Sequence, residues 1–267
     1  MKKARIDAVL AERGLFPSRS AAAGAVRAGE VRVGADGPVA LRPSQLVEPE
    51  APLIVDPGPR YVSRGGVKLE NALEALGIDV SGRDCLDVGA STGGFTDCLL
   101  QRGAARVVAV DVAYGQLDLK LRDDPRVTVV ERLNARALEP ADLPFAPSFA
   151  TVDVSFISLT KVLPAVARCL EPGGEALAMV KPQFELGRER VGRGVVRDAA
   201  DRREAVLAVA RAASGLGLPV RGFASSGLPG PKGNRETFVR CGGEGPAIAD
   251  ADLEAAIAFA EEAGEGS

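Results

Sequence analysis

Apolar positions recur along this chain in two rhythms. From residue 68 onward, short runs of consecutive apolar residues alternate with longer stretches where apolar positions return every three or four residues. The first rhythm predicts strands buried on both faces, and the second predicts helices laid against them. Strands are expected at 83–87, 107–111, 127–131, 149–153, 176–181, 220–225 and 237–241, with helices at 68–76, 94–102, 114–121, 160–170 and 199–216. Alternation of this kind implies a parallel sheet with helices on both faces. The segment after residue 241, rich in acidic residues, is assigned no element and no site.

Residues 1–58 carry a different pattern. Ile6, Val9 and Leu10 have helical spacing that ends near Gly14, and Ser18 stands where a second helix would be capped, running to Arg27 and stopped by Gly29. Val31–Val33 and Leu53–Val55 read as short strands. Asp56-Pro57-Gly58-Pro59-Arg60 has linker composition. The expected organisation is a small α+β domain at 1–58, a linker at 59–67 and a larger α/β domain at 68–267.

Composition narrows the function classes. The chain has 267 residues and a formal charge of −3, yet seven acids and no Lys or Arg follow Arg240, leaving the first 240 residues at +4. Arg5, Arg19 and Arg27 lie within a basic N-terminal module, and local patches rather than net charge set attraction to phosphate. A solvated basic face without a ligand has the same signature. Histidine is absent, which excludes an imidazole base, a Ser-His-Asp triad and a His-ligated metal. Four scattered cysteines without a Cys-x-x-Cys pair argue against zinc or a disulfide framework. No run reaches membrane-spanning length, and the N-terminus lacks a signal pattern, so a cytoplasmic protein is expected, with no membrane partner and a monomeric state.

The chemistry concentrates at strand ends. Cys85-Leu86-Asp87-Val88-Gly89-Ala90-Ser91-Thr92-Gly93-Gly94 takes a strand into a glycine turn, spaced differently from the Gly-x-Gly-x-x-Gly of dinucleotide sites. The next strand ends in Asp111, placed to accept hydrogen bonds from a ribose diol. An acidic first-strand end, a looser turn and a second-strand Asp point to S-adenosylmethionine. Asp153, Lys181 and Glu236 sit at three further strand or loop ends, and Lys68 opens a helix. A ribose hydroxyl must lose its proton as it attacks a sulfonium methyl. Without histidine, a lysine activated by its surroundings and carboxylates that orient it supply the necessary parts. The chain has 26 arginines but seven lysines, so a lysine inside an apolar strand run is notable. A snorkelling or surface-paired Lys181 accounts for its position equally well.

The segments Tyr61–Leu69, Asp87–Thr96, Asp153–Leu159 and Val180–Glu185 together resemble the TlyA (haemolysin A-like) family of ribosomal RNA 2′-O-methyltransferases, with an FtsJ-like catalytic domain. The resemblance implies a seven-stranded Rossmann-like methyltransferase domain preceded by a small RNA-binding domain of ribosomal-protein type. It implies a metal-free catalytic tetrad of Lys68, Asp153, Lys181 and Glu236. It places the cofactor against Asp87, Gly89, Ser91, Thr92, Gly93, Asp111, Asn134 and Asp153. RNA contacts are expected from Arg5, Arg19, Arg27 and Arg64, and from Arg188 and Arg190 in a basic loop that is equally readable as a plain surface loop. The implied substrate is cytidine ribose in 23S ribosomal RNA and, in one subgroup of the family, 16S ribosomal RNA as well, with the choice between 23S alone and both left open by the sequence. A membrane-active haemolysin and a non-catalytic RNA-binding protein are the alternative readings.

Overall fold

A computed structural model describes residues 3–263 apart from 35, 36, 57, 188, 193 and 231. The chain divides into two compact units, Met1–Arg60 and Tyr61–Ser267.

The first unit contains β1 (Ala4–Arg5), α1 (Ile6–Glu12), α2 (Arg19–Ala28), β2 (Val31–Val33), β3 (Leu46–Val47) and β4 (Leu53–Val55). β1 pairs with β3 and β2 with β4, both antiparallel. The Ser18 hydroxyl caps α2 by accepting from Ala21 N at 3.2 Å, and Gly29 ends it in the left-handed region at φ 79°. That pairing of a side-chain acceptor with a terminal glycine satisfies the backbone groups a helix leaves open at each end. Ile6, Val9, Leu10, Val26 and Val31 close a small core.

The second unit begins with α3 (Arg64–Ala75), then β5 (Asp84–Val88), α4 (Gly94–Gln101), β6 (Arg106–Asp111), α5 (Leu119–Arg122), β7 (Val127–Glu131) and β8 (Phe149–Val152). It continues with α6 (Leu163–Cys169), β9 (Glu175–Val180), α7 (Pro182–Glu185), α8 (Ala199–Gly215), β10 (Val220–Ser225), β11 (Thr237–Gly242) and α9 (Leu253–Ala263). The sheet order is β10-β11-β9-β8-β5-β6-β7. All seven expected strands are present.

Three expectations need correction. The sheet is not wholly parallel, because β11 runs antiparallel to both β9 and β10. The described residues among 226–236 hold no crossover helix to return the chain, and β11 folds back beside β10 as a hairpin partner does. The helix expected at 114–121 is reduced to the single turn of α5. Gly115 is left-handed at φ 72°, and the Asp118 carboxylate starts the helix late by accepting from Lys120 N. The acidic C-terminal segment forms α9, whose Leu253, Ile257 and Ala260 are buried at helical spacing.

Side chains alternate across the sheet with period two. Leu86 and Val88 of β5 enter the core shared with α6, α8 and α9. Cys85 enters the core shared with α3 and α4. The order reverses between β5 and β8, and in an open α/β sheet the crevice at the carboxyl ends beside such a switch is where ligands bind. Tyr61 is buried in the α3 and α4 core, and Ser63 caps α3.

Candidate active site

Strand register assembles the site. Val88 pairs with Val110 on one side and Val152 on the other, so Gly89, Asp111 and Asp153 emerge together at the switch point. Thr237 pairs with Val180, which sets Glu236 beside Lys181. Residues far apart in sequence thus meet because the ends of parallel strands and the start of antiparallel β11 fall at one edge.

Gly89 has no alternative here. Its φ is 87°, and a Cβ on it would stand 2.4 Å from the Asp153 carbonyl oxygen. Gly93, at φ 98°, is packed with equal closeness, since a Cβ would come 2.3 Å from Leu121 Cδ1. Both positions favour glycine for conformation, and Gly89 also for space, because its neighbour is backbone rather than a movable leucine side chain.

Two clefts open from this turn. One, of about 450 Å³, is lined by Lys68, Asp153, Lys181 and Glu236 with Arg64, Thr92 and Met179 among its other walls. All four residues of the expected tetrad therefore face one cavity. Lys68 Nζ is ion-paired with Glu236 Oε2, both side chains being nearly buried at 9% and 2% exposure. Lys181 Nζ donates to Ser155 Oγ at 2.9 Å and is ion-paired with Asp153 Oδ1. Among the described residues no other side-chain partner meets that oxygen, so Lys181 is its anchor. One nearly buried and one partly exposed ammonium–carboxylate pair thus put charges on the cleft wall, the first of them in a low-dielectric setting.

The second cleft, of about 1040 Å³, includes Asp111, Asn134, Asp153, Phe156 and Glu185 in its wall. It shares Gly89, Ser91 and Asp153 with the first. Asp111 accepts from Ser91 N and from Ala113 N, each at 2.7 Å. Each oxygen of that carboxylate keeps further acceptor capacity for a diol. Asn134 Oδ1 accepts from Arg136 N at 3.1 Å, which leaves its amide NH2 as a donor.

Asp87 lies elsewhere. Strand alternation turns its side chain toward α4, where it is fully buried and lines neither cleft. It accepts from Thr96 Oγ1 at 2.7 Å and from Thr151 Oγ1 at 3.1 Å. Burial is the main influence on its carboxyl and pushes it up to about 7, against the opposing effect of the two threonine hydrogen bonds. The carboxyl braces the turn from beneath by linking the strand before it, the helix after it and the strand that delivers Asp153.

The arginines are not equally placed. Arg5 and Arg19 are exposed and both meet the buried carboxylate of Asp7, Arg5 by two hydrogen bonds of 3.0 and 2.7 Å and Arg19 at 3.5 Å. Arg27 is exposed in the last turn of α2. Arg64 Nη2 donates to Pro229 O at 2.6 Å. Arg190 is held by Glu204, at 2.8 and 2.6 Å, and by Asp201, while Arg188 lies outside the described residues.

Sequence reasoning passed over several participants. Asn234 is buried two residues before Glu236, accepting from Val196 N at 2.9 Å and donating to Gly194 O at 2.8 Å. It clamps the basic loop to the segment carrying Glu236. Ser155 and Glu185 lie inside stretches already singled out, but only the fold brings them together.

A mostly parallel sheet of this order, with an acid-flanked glycine turn at the switch and two adjoining clefts, defines a Rossmann-like methyltransferase. Residues 61–243 match the FtsJ-like methyltransferase family, and residues 4–52 match the S4 domain. The chain belongs to the TlyA, or haemolysin A-like, family of FtsJ-like methyltransferases. It is 51% identical to the 16S/23S rRNA (cytidine-2′-O)-methyltransferase TlyA of Mycobacterium tuberculosis, over 89% of each chain. It is 34% identical to the 23S rRNA (cytidine-2′-O)-methyltransferase TlyA of Campylobacter jejuni, over 74% of this chain and 79% of that one. A solved structure described as a hemolysin, from Streptococcus thermophilus, superposes with a TM-score of 0.73 at 40% identity, covering 100% of this chain and 98% of that one. Among the described residues no helix is long and apolar enough to cross a membrane.

Proposed function

We propose that this chain methylates the 2′-hydroxyl of a cytidine ribose in ribosomal RNA, acting in the cytoplasm as a metal-free monomer on both 23S and 16S species. The observation that carries the reading is the convergence of Lys68, Asp153, Lys181 and Glu236 on one cleft that shares Gly89, Ser91 and Asp153 with a second, larger one. The identity to a relative named for both rRNAs supports the substrate assignment.

The larger cleft fits S-adenosylmethionine. Its turn has a glycine whose missing Cβ leaves room beside the Asp153 carbonyl, an aspartate with free acceptor capacity and an asparagine with a free donor. Asp111 would hold a ribose diol, Asn134 the base, and the Gly89–Gly93 backbone the remainder. When bound, S-adenosylmethionine supplies the sulfonium methyl group.

The protein's own work is positional and electrostatic. Lys181, fixed between Asp153 and Ser155 where the clefts meet, orients the attacking hydroxyl, and the Asp153–Lys181 pair receives its proton. The buried Lys68–Glu236 pair shapes the opposite wall beside the incoming ribose. In the first unit, Arg5, Arg19 and Arg27 supply phosphate contacts that hold register without reading bases. Arg64 and the basic loop with Arg188 and Arg190 extend this role beside the cleft.

The test is methyl transfer from labelled S-adenosylmethionine to purified 30S and 50S subunits, followed by mapping of the labelled nucleotide. Wild type should label one ribose per site, and Lys181→Ala should lose roughly 10²- to 10⁴-fold in rate, the usual range for a proton-transfer group. Equal labelling by the variant would remove Lys181 from the mechanism. No labelling of either subunit, with cofactor bound, would refute the proposed substrate.

A further inference from the structure

The loop of residues 153–158, which follows β8, runs alongside residues 181–185, and the two segments touch at several points. At one end are the Asp153–Lys181 ion pair and the Lys181-to-Ser155 hydrogen bond. In the middle the rings of Phe156 and Phe184 stand 5.1 Å apart at 50°. At the far end Glu185 accepts from Leu159 N at 2.9 Å and from Ser158 Oγ at 2.6 Å. Ser158 Oγ also lies 2.7 Å from Thr160 Oγ1, so the carboxylate terminates a small polar chain.

The loop needs such an anchor. Phe156 has φ 65°, a conformation that costs a non-glycine residue about 1–3 kcal/mol and persists only where neighbours enforce it. Its side chain is 92% exposed, so burial of its own ring contributes little to holding the loop. Asp153 opens this loop and is ion-paired with Lys181, so a shift of the loop would move that carboxylate against its partner. Burial raises the Glu185 carboxyl above its usual range, the sign of a group kept out of water for its hydrogen bonds.

We infer that Glu185 is a positioning residue for methyl transfer, latching the 153–158 loop to α7 so that Asp153 and Ser155 stay in place on Lys181. The inference rests on the reading of Lys181 and Asp153 given under Proposed function. Glu185 acts through the loop, and among the described residues it makes no hydrogen bond or ion pair with Lys181 or Glu236. The segment that carries Lys181 thereby also sets its partner, and the 1040 Å³ cleft gains a wall of fixed shape.

Two variants of the full chain test the latch. Glu185→Ala removes both acceptors. Glu185→Gln keeps an acceptor for Leu159 N and can donate to Ser158 Oγ, so it should restore the latch. Amide hydrogen exchange read by mass spectrometry should quicken across residues 153–159 in Glu185→Ala and return toward wild type in Glu185→Gln. In the same pair, kcat on ribosomal subunits should fall roughly 10- to 100-fold and then recover, the scale expected when reacting groups are misplaced by about an ångström. Because Glu185 also lines the larger cleft, S-adenosylmethionine affinity by calorimetry should fall in Glu185→Ala by less than kcat does and return toward wild type in Glu185→Gln. Unaltered exchange would overturn the latch. Faster exchange with unchanged kcat, or a loss of cofactor affinity that matches the loss of kcat, would overturn the positioning role. A wild-type chain without transfer activity would sink the functional reading alone, because the exchange experiment still decides the latch.

Discussion

Replacing Asp87 with asparagine tests the account of the turn most directly. The Asp87 carboxyl is fully buried between two threonine hydroxyls and is pushed up to about 7. Its raised value means that the folded protein holds a proton the unfolded chain has released. Its contribution is therefore fully present below the unfolded value near 4 and is lost as pH rises through 7. At 1.36 kcal/mol per pH unit, wild type should lose roughly 3 kcal/mol from this group between pH 4.5 and pH 8. The amide introduced by Asp87→Asn has no proton to lose. Its carbonyl can accept from one threonine and its NH2 can donate to the other, so near pH 4.5 the variant should lie within about 1.5 kcal/mol of wild type. At pH 8 it should be the more stable protein relative to that starting difference. The assay is urea unfolding followed by far-ultraviolet circular dichroism, because the chain has no tryptophan. Parallel stability curves for the two proteins from pH 4.5 to pH 8 would refute the reasoning, since they would mean that the native and unfolded states hold this proton equally.

Three further outcomes are expected. Glu236→Ala should destabilise the chain by about 3–5 kcal/mol by leaving the Lys68 ammonium buried and unpaired, whereas Lys68→Met with Glu236→Gln should recover most of that loss without recovering activity, as urea unfolding and methyl transfer would show. Gly89→Ala should cost about 1–3 kcal/mol in backbone strain and also abolish S-adenosylmethionine binding in calorimetry, because a Cβ there presses on the Asp153 carbonyl. Replacing Arg5 and Arg19 together with alanine should weaken RNA binding and lower the slope of log affinity against log salt by up to about 2; an unchanged slope in filter binding would show that the pair contacts no phosphate.

Much of this protein was legible in one dimension. The expected strands at 127–131 and 220–225 coincide with β7 and β10, and the Ser18 cap and Gly29 stop bound α2 as read. Local signals suffice there, because an apolar run, a cap or a glycine stop acts within a few residues. The Gly89–Gly93 turn and Asp111 could be picked out for the same reason, since a strand end and its turn are contiguous. The 114–121 helix failed because apolar spacing does not register a left-handed Gly115 or a late cap. The direction of β11 was not readable either, since a strand's residue pattern is the same whichever way it runs.

What the sequence determined by itself was the inventory: two units of different rhythm, seven strands, an acid-flanked glycine turn, no histidine, one lysine at a strand end and another near a helix start. What tertiary structure alone decided was which of those residues meet. Strand register set Glu236 beside Lys181 and packed Lys68 against Glu236 from 168 positions away. Period-two alternation sent Asp87 beneath the turn rather than into a cleft. Folding likewise tied Arg190 to α8, paired Arg5 and Arg19 through Asp7, and set Glu185 against the loop after Asp153. Periodicity is a property of neighbours along the chain, but charge pairing, burial and shared cavities are properties of neighbours in space, and only a packed sheet fixes those.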